Sequence, residues 1–519
     1  MNQNNQSIIN ELLIEIKQLK VQLEESNLRI QWLEEQNRLL KDYRFGAKSE
    51  KIAEGQLNLF NDAEETSEET IEEPTYEEIT YKRRKEKRTK EELIKDLPVV
   101  TVEHTIDKED RLCPYGHGPL SVIGKEVTKE LAIIPAQFYV IEHIRYKYAC
   151  TPCSVEGNDE ENQKTPIMTA PKPKRAIPGS MASSSLLAYI INQKFTQGLP
   201  LYRQEQEFSR QGINLSRQTL ANWMIKSADV FKVLYDRMHE ELIKKDVLMG
   251  DETTVQVLHE PGKAPTAKSY MWVYRTGKYE DPIVLYNYQP SRSGDHPETF
   301  LKGFKGFFQS DGYQGYNGLL DVIRVGCLAH ARRRYTDALK ALPKDSKKLR
   351  TKANEGLNFI QQLYKIESKI KDLSIEKRLE IRTKESLPIL ERFSTWLNEC
   401  SLLALPKSKL GEAIEYTINQ WDYLKNYTLD GRLDIDNNRT ERAIKPFVVG
   451  RKAWLFSNTP KGANSSAILY SIVETAKENR LKPYDYMKYL LDQIPNLNDL
   501  SSIDQLLPWS DTIPKEIRL

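Results

Sequence analysis

The chain has 519 residues, which is too many for a single hydrophobic core, so several domains are expected. Charged residues make up 29% and apolar residues 39%, a balance that suits folded globular domains, and the formal net charge is only +2. No apolar run approaches the roughly eighteen residues that span a bilayer, and the first ten residues, MNQNNQSIIN, lack the apolar segment of a signal peptide. We therefore expect a cytoplasmic protein that does not contact membranes. Five cysteines, an odd and small number, do not indicate a disulfide framework.

Residues 7–42 are predicted to form a long helix with a heptad repeat. The a positions hold Ile9, Ile16, Leu23, Ile30 and Asn37, and the d positions hold Leu12, Leu19, Ser26, Leu33 and Leu40. One polar Asn at an a position favours a parallel dimer, because the two amides pair within the apolar seam. We expect a dimeric coiled coil; the alternative is a helix packed on its own globular domain.

Residues 43–98 are predicted to form a charged linker. Within it, residues 55–80 carry nine acids and no base, whereas residues 81–90 carry seven bases and one acid. Charge blocks of this kind are typical of disordered linkers. A basic arm beside a DNA-binding module would also contact phosphates.

Two further modules precede the middle of the chain. Residues 99–168 contain CPYGH, a β-prone stretch and CTPC, and the Pro/Lys-rich TAPKPKRAIPGS then marks a boundary. Residues 180–245 have helical periodicity, and Gly212 closes a second helix. Ser216 caps a third helix, which opens with Arg217 and Gln218. The pair predicts a DNA-binding helix-turn-helix, with a plain helical hairpin as the alternative.

Residues 246–341 alternate strand and helix signals in the order βββαβαβα, with helices expected at HPETFLKGF, YQGYNGLL and ARRRYTDALKAL. This order is typical of the ribonuclease-H-like fold, which has a mixed five-stranded sheet. Residues 342–433 are predicted to be almost wholly helical. One more helix is expected at DNNRTERAIK, and the last seventy residues are helical with scattered prolines.

Two acids in this predicted core stand beside strands. Asp251 lies near the start of the first strand and Asp311 directly follows the fourth. On this fold the two strands are neighbours, so the carboxylates converge. Together with a third acid they can hold two divalent ions, which activate the attacking oxygen and stabilise the leaving oxygen of a phosphodiester displacement. Hard oxygen ligands favour Mg²⁺ or Mn²⁺ over zinc.

By composition, the third acid is one of four residues: Glu252, Asp434, Asp436 or Glu441. Glu441 falls on the predicted helix of DNNRTERAIK with Asn438 and Lys445 on the same face. A carboxylate and a cation then point at one place, as a metal site beside a scissile phosphate requires. An ordinary ion pair between Glu441 and its basic neighbours is the alternative.

Taken in order, these motifs resemble the insertion-sequence 66 family of transposases, a branch of the DDE transposases. The resemblance covers nearly the whole chain and rests on RFGAKSEK, IPAQFYVIEHIRYKYAC, LPLYRQEQEF, LSRQTLANW, GDETTVQV, QSDGYQGY, CLAHARRRY, DNNRTERAIKPFVVGRKAWLF and ETAKENRLKPYDYMKYLL. It implies a multidomain α+β protein whose ribonuclease-H-like core has two parts, 246–341 and 434–465. A helical insertion, 342–433, separates the two parts, and a small domain, 466–519, follows them.

The resemblance also implies a function. The DDE triad would be Asp251, Asp311 and Glu441, holding Mg²⁺ or Mn²⁺. The enzyme would bind the terminal inverted repeats of an insertion sequence and catalyse strand cleavage and strand transfer in the bacterial cytoplasm, associated with the nucleoid when bound to DNA. Its partners would be double-stranded DNA, further copies of the chain and companion proteins of the same element. A domesticated, non-catalytic DNA-binding regulator is the alternative.

The zinc region departs from the family's two CxxC knuckles. Cys150 and Cys153 are intact, but Gly116 stands where a cysteine is expected. His117, one residue on, would complete a Cys3His site with Cys113, because tetrahedral zinc accepts imidazole as well as thiolate. A degenerate site that binds no metal is the alternative.

Several further residues are expected to face DNA. Arg442 and Lys445 lie on the predicted catalytic helix, and GRKAWLF supplies Arg451, Lys452 and Trp454. The cations would contact phosphates, and Trp454 would either stack on an unpaired base or pack in the core. In CLAHARRRY the three arginines are expected to face DNA in part, and His330 is interpreted as structural.

Overall fold

The structure is a computed structural model that describes residues 137–149, 167–342, 351–402, 404–405, 407–497 and 499–519, with eight single residues nearer the N-terminus. The chain divides into two compact units, residues 63–172 and residues 1–62 together with 173–519. The coiled coil predicted at 7–42 lies outside the described residues apart from five single helical residues. The predicted linker 43–98 and the four predicted zinc ligands also lie outside them. None of the helices in the described part is long and apolar enough to cross a bilayer.

In the unit formed by residues 63–172, the described residues contain a small antiparallel sheet. Strand β1 (Lys147–Ala149) pairs with β2 (Ile167–Thr169). The Ala170 amide donates to the Tyr146 carbonyl at 3.1 Å, which extends the ladder by one step. The pairing brings the β-prone stretch before CTPC against the segment that leaves the unit.

In the unit formed by residues 1–62 and 173–519, three helices follow residue 173. They are α1 (Ser184–Phe195), α2 (Leu201–Arg210) and α3 (Arg217–Leu242). Local capping determines where two of them begin. The Ser183 and Ser216 hydroxyls accept hydrogen bonds from the amides three residues on, both at 3.2 Å. Gly212 follows α2 with φ of 77°, a left-handed conformation that glycine adopts at low cost and that turns the chain into α3.

A mixed five-stranded sheet forms the centre of this unit. Its strands are β3 (Val247–Gln256), β4 (Lys268–Thr276), β5 (Val284–Gln289), β6 (Gly306–Gln309) and β7 (Val322–Val325). The order across the sheet is β5-β4-β3-β6-β7. The first three strands in sequence are antiparallel, whereas β6 and β7 run parallel to β3. Helix α4 (Asp295–Phe300) lies between β5 and β6, and α5 (Leu328–Ala341) follows β7.

The prediction of a helix at YQGYNGLL is wrong, because only one 3₁₀ turn forms there, at Gln314–Tyr316. Two glycines in the segment disfavour a helix, and tertiary contacts take over. The Tyr316 ring is fully buried and lies 5.7 Å from the Trp272 ring and 5.1 Å from the Phe308 ring. The segment therefore packs as a loop anchored by one aromatic side chain.

The remaining helices follow β7 and α5 in the chain. They are α6 (Lys352–Ile370), α7 (Ile375–Ile381), α8 (Leu387–Ser401), α9 (Lys409–Asn419), α10 (Trp421–Leu424), α11 (Asn438–Trp454), α12 (Pro460–Glu478) and α13 (Pro483–Gln493). Helices α6, α8 and α9 share an apolar core with α5 that includes Tyr335, Phe393 and Trp396. Helix α11 packs on β3 and β4, and α12 packs on β5 and α3.

Helix α12 also covers the outer edge of β5. The Ser471 hydroxyl accepts from the Tyr286 amide at 2.8 Å. The Thr475 hydroxyl accepts from the Val284 amide at 3.0 Å and lies 2.9 Å from the carbonyl of the same residue. These side-chain contacts occupy backbone groups at the β5 edge of the sheet. An open edge is a template for association with other strands, and α12 protects this one.

The segment between α5 and α11 is organised by a buried guanidinium. Arg382 is fully buried in the π turn between α7 and α8, and its Nε and Nη2 donate to the two carboxylate oxygens of Glu367 at 2.8 and 2.7 Å. The same guanidinium donates to the carbonyls of Tyr427, Asp430 and Leu433, each at 2.8 Å. These contacts determine where the chain leaves the helical segment and turns towards α11.

We expect Arg382→Ala to lower the free energy of unfolding by about 3–5 kcal/mol, because it removes both guanidinium donors from the Glu367 carboxylate and one donor from each of three carbonyls. Urea denaturation of the full chain measures the change. The matched control is Arg392→Ala, at an exposed position on α8, which should change stability by less than about 0.5 kcal/mol. Equal losses for the two variants would contradict this role of Arg382.

Candidate active site

Two carboxylates lie at corresponding positions of neighbouring parallel strands, Asp251 on β3 and Asp311 just after the end of β6. The β3–β6 pairing ends with Met249 opposite Gln309, and Asp251 and Asp311 each lie two residues beyond that pair. The Asp251 Oδ1 accepts from the Glu252 amide at 2.8 Å, and the Asp311 Oδ1 accepts from the Tyr313 amide at 3.0 Å. Both side chains are partly exposed, so a ligand can reach them from solvent.

Helix α11 is attached to these strands at its start. Asn437, the residue before the helix, is 1% exposed, and its Nδ2 donates to the Gly250 carbonyl at 2.9 Å, next to Asp251. The Gln309 Nε2, two residues before Asp311, donates to the Asp434 carbonyl at 2.7 Å. Two side-chain amides therefore connect the segment before α11 to β3 and to β6. Glu441 lies in the first turn of the helix that follows.

Gly250 is needed for this arrangement. A Cβ atom at this position would collide with the Phe308 ring on β6. The Phe308 ring can thus pack against β3 beside the candidate acids because residue 250 has no side chain.

The charges of nearby acids act on the Asp251 carboxylate. Burial raises the pKa of Asp251 well above its ordinary value, and the negative charges of Glu252, Asp311 and Glu441 raise it further. A hydrogen bond from the Glu252 amide opposes this effect. Carboxylates that repel one another in this way form a favourable site for a divalent cation, which would relieve the repulsion.

Glu252, a candidate for the third acid, is engaged elsewhere. Its side chain is 1% exposed. Its Oε1 accepts from the Arg292 Nε at 2.8 Å, and its Oε2 accepts from the Tyr316 hydroxyl at 2.7 Å. Burial raises its pKa, and the hydrogen bonds from Tyr316 and Arg292 lower it. Glu252 therefore joins β3 to the loop after Asp311 and is not free to bind a metal ion.

The other two candidates support the start of α11. The Asp436 Oδ1 accepts from the Asn438 amide at 3.1 Å, and its Oδ2 accepts from the Tyr364 hydroxyl at 2.8 Å. The Asp434 carboxylate lies 3.9 Å from the Arg378 guanidinium. Glu441, by contrast, forms no ion pair or hydrogen bond through its carboxylate with another described residue. The alternative of an ion pair with its basic neighbours receives no support from these contacts.

Two residues that the sequence argument did not place in the site lie beside Glu441. Ligand atoms of Cys327, His330 and Glu441 are all within 4.8 Å of one another. Cys327 is buried just before α5, where burial raises the pKa of its thiol to about 12. The CxxH spacing of CLAH is the one signal for these residues in the sequence. It is a weak signal for a metal site, because no second pair of ligands accompanies it.

The residues expected to face DNA fall into two groups. Arg442 and Lys452 are exposed and Lys445 is partly exposed, all on α11, and Arg217 and Gln218 are exposed at the start of α3. The second group, Arg451 and Trp454, contacts other parts of the protein. The Arg451 guanidinium donates to the Thr254 carbonyl on β3, and the Trp454 ring lies 6.3 Å from the Tyr470 ring and 5.3 Å from the Lys194 ammonium. Arg451 thus holds α11 on the sheet, and Trp454 packs partly in the core.

Four family models match this chain. The family model described as Transposase IS66 family matches residues 179–465, over half of the chain. Three other models match: the zinc-finger binding domain of transposase IS66 at 110–154, the IS66 C-terminal element at 471–509, and Transposase C of IS166 homeodomain at 32–102.

Similar proteins occur in Sinorhizobium fredii (strain NBRC 101917 / NGR234). Uncharacterized protein y4jD is 32% identical over 433 residues, covering 80% of this chain and 81% of the relative. Uncharacterized protein y4qI is 30% identical over 405 residues, covering 75% of this chain and 72% of the relative.

We expect Asn437→Ala to destabilise the protein by about 1–3 kcal/mol, because the buried Gly250 carbonyl loses its donor. The start of α11 should also loosen, which hydrogen exchange of the α11 amides would detect as faster exchange. Asn438→Ala is the matched control, one residue on and only partly buried, where a smaller change is expected. Unaltered exchange in Asn437→Ala would show that the side chain does not hold the helix in place.

We expect Asp251→Asn to raise the melting temperature at pH 7.5 in a chelator, by roughly 2–4 °C for each 1 kcal/mol of repulsion relieved. The folded pKa of Asp251 lies above its unfolded value of about 4. As pH rises from the unfolded to the folded pKa of Asp251, the carboxylate ionises in the unfolded state first and the protein loses stability. The higher melting temperature of Asp251→Asn should therefore vanish below about pH 4. Thermal unfolding across pH tests this. A lower melting temperature for Asp251→Asn at pH 7.5 would contradict crowding of the carboxylates.

Proposed function

Because the chain belongs to the IS66 family of transposases, we propose that it is a DDE transposase that cleaves and joins DNA strands with Asp251, Asp311 and Glu441. One observation carries the proposal. Burial and the neighbouring Glu252 raise the pKa of Asp251, and the charges of Asp311 and Glu441, from two other segments of the chain, raise it further. Phosphodiester displacement by paired divalent ions requires such a group of hard oxygen ligands.

We assign the central sheet to the ribonuclease-H-like class. The assignment is supported by the order β5-β4-β3-β6-β7 and by the change from antiparallel to parallel pairing at β3. In this assignment the helices between α5 and α11 are an insertion, and α11 returns the chain to the core. The segment that brings Glu441 to the sheet is the one that Asn437 and Gln309 hold.

The side chains present fit a pair of Mg²⁺ or Mn²⁺ ions. Asp251, Asp311 and Glu441 would hold them, since their oxygen atoms are the ligands such ions prefer and their mutual repulsion calls for positive charge. When bound, the ions would supply activation of the attacking oxygen and stabilisation of the leaving oxygen. The protein itself positions the acids, through Asn437 at α11 and through the Glu252–Tyr316 contact at the loop after Asp311.

The remaining modules are proposed to bind DNA and to assemble the protein. Exposed Arg442 and partly exposed Lys445, both on α11, would contact phosphates near Glu441. Arg217 and Gln218 open the helix proposed to reach base edges of the terminal repeats. The zinc-finger match at 110–154 supports a zinc site of Cys113, His117, Cys150 and Cys153. The heptads of residues 7–42 support a dimer.

We expect Glu441→Gln to abolish both strand cleavage and strand transfer while DNA binding stays close to that of the unchanged protein. Glutamine keeps the size of the side chain but removes the charge that a divalent ion needs. The measurement is a nicking and joining assay with Mg²⁺ on DNA that carries the terminal repeats of the protein's own element, beside a binding assay on the same DNA.

Asp434→Asn is the matched control, because the contact from Gln309 uses the backbone carbonyl of Asp434 and survives the change. Normal nicking by Glu441→Gln would show that another acid is the third ligand. Tight binding with no cleavage by the unchanged protein, in Mg²⁺ and in Mn²⁺, would instead favour the non-catalytic regulator.

A further inference from the structure

The starts of helices α5 and α11 meet beside the candidate active site. Cys327 is the residue before α5, and His330 lies in its first turn, three residues on, so both side chains share a face of the helix. The Asn437 amide, at the start of α11, donates to the Cys327 Sγ at 3.2 Å. The Leu328 amide donates to the Ile435 carbonyl at 3.2 Å. These contacts hold the thiol and the imidazole next to Glu441.

Three kinds of metal ligand therefore lie together: a thiol, an imidazole and a carboxylate. Their ligand atoms lie within 4.8 Å of one another. The Nδ1 of His330 is buried and has no hydrogen-bond partner among the described residues, so one ring nitrogen is left for another ligand. A tetrahedral zinc would hold its ligands roughly 3.5 Å apart, so the ligand atoms would have to move towards one another when the ion binds.

We propose that Cys327, His330 and Glu441 form a binding site for a borderline-soft divalent cation, Zn²⁺ or Co²⁺, with a fourth position open to water. Sulfur and imidazole ligands select such ions, whereas Mg²⁺ prefers oxygen alone. The site is distinct from the N-terminal zinc-finger region and from the Asp251–Asp311 pair, although it shares Glu441 with the proposed catalytic triad. On the proposed function, occupancy by Zn²⁺ removes Glu441 from the Mg²⁺ site and inhibits strand cleavage.

Cobalt spectroscopy of the full chain tests the site without any assay of activity. The purified protein is treated with chelator, which is then removed, and titrated with Co²⁺. We expect a thiolate-to-cobalt charge-transfer band that Cys327→Ser loses, and ligand-field bands that His330→Ala and Glu441→Gln weaken. Thiolates of the N-terminal zinc-finger region contribute equally to every variant, so the difference spectra isolate this site.

Cys400→Ser is the matched control, because Cys400 is also a buried free cysteine but lies on α8. It should leave the cobalt spectrum unchanged. Identical spectra and cobalt stoichiometry for the unchanged protein and Cys327→Ser would overturn the proposal. Thermal unfolding of each metal-free variant shows that it is folded before titration, and His330→Ala provides a second test if Cys327→Ser fails to fold.

Inhibition by zinc tests the shared use of Glu441. In the Mg²⁺-dependent nicking assay, micromolar Zn²⁺ should inhibit the unchanged protein, and Cys327→Ser should require more Zn²⁺ for the same fractional loss of its own activity. Cobalt binding at Cys327 with equal zinc sensitivity in both proteins would show that the site exists but does not compete for Glu441. If the unchanged protein does not cleave DNA at all, the proposed function fails, while the cobalt spectra still decide whether the site binds metal.

Discussion

The hydrogen bond from the Asn437 side chain to the Gly250 carbonyl joins two parts of the chain that are 187 residues apart. It forms just beyond the last β3–β6 pair, where β6 no longer accompanies β3. The same side chain accepts from the Thr440 hydroxyl at 2.7 Å, so it organises the first turn of α11 while it holds the strand. Since an unsatisfied buried amide or carbonyl is costly, this position of α11 is strongly preferred, and Glu441 moves with the helix.

Adjacent residues of one strand are used in opposite ways because side chains alternate across a sheet. Asp251 is partly exposed among other negative charges, and its carboxylate accepts a hydrogen bond from the Glu252 amide. Glu252 points the other way and is buried with an arginine and a tyrosine. The hydrogen bond between Glu252 and Tyr316 stabilises the loop that follows Asp311. The first acid is thus left under electrostatic strain that a cation would relieve, while its neighbour is neutralised by the protein itself.

The long helical segment between α5 and α11 has a geometric role in the site. Arg382 holds its last turns through the carbonyls of Tyr427, Asp430 and Leu433, and Ile435, two residues later, accepts from the start of α5. The chain consequently enters α11 from a fixed point. A buried guanidinium far from the acids in sequence therefore helps to determine where Glu441 lies, which links the stability of the helical segment to the geometry of the site.

Local signals in the sequence were sufficient for the elements that depend on neighbouring residues. Ser216 caps its helix and Gly212 turns the chain, as the sequence predicted, because the groups involved lie within a few residues of each other. Strand periodicity likewise placed Asp251 on one strand and Asp311 directly after another, whereas their adjacency in the sheet was expected from the fold that the order of elements indicated. The local pattern failed at YQGYNGLL, where burial of Tyr316 against Trp272 overrode it.

The choice among four acids could not be made from spacing, since it depends on which carboxylate finds a partner elsewhere in the fold. Arg292 and Tyr316 occupy Glu252, and Tyr364 occupies Asp436, across 40 to 72 residues of chain. The orientation of Arg451 towards β3 and the meeting of Cys327 with Glu441 have the same origin. These last two contacts join residues more than a hundred positions apart, and only the packed chain brings such groups within hydrogen-bonding or ligand distance.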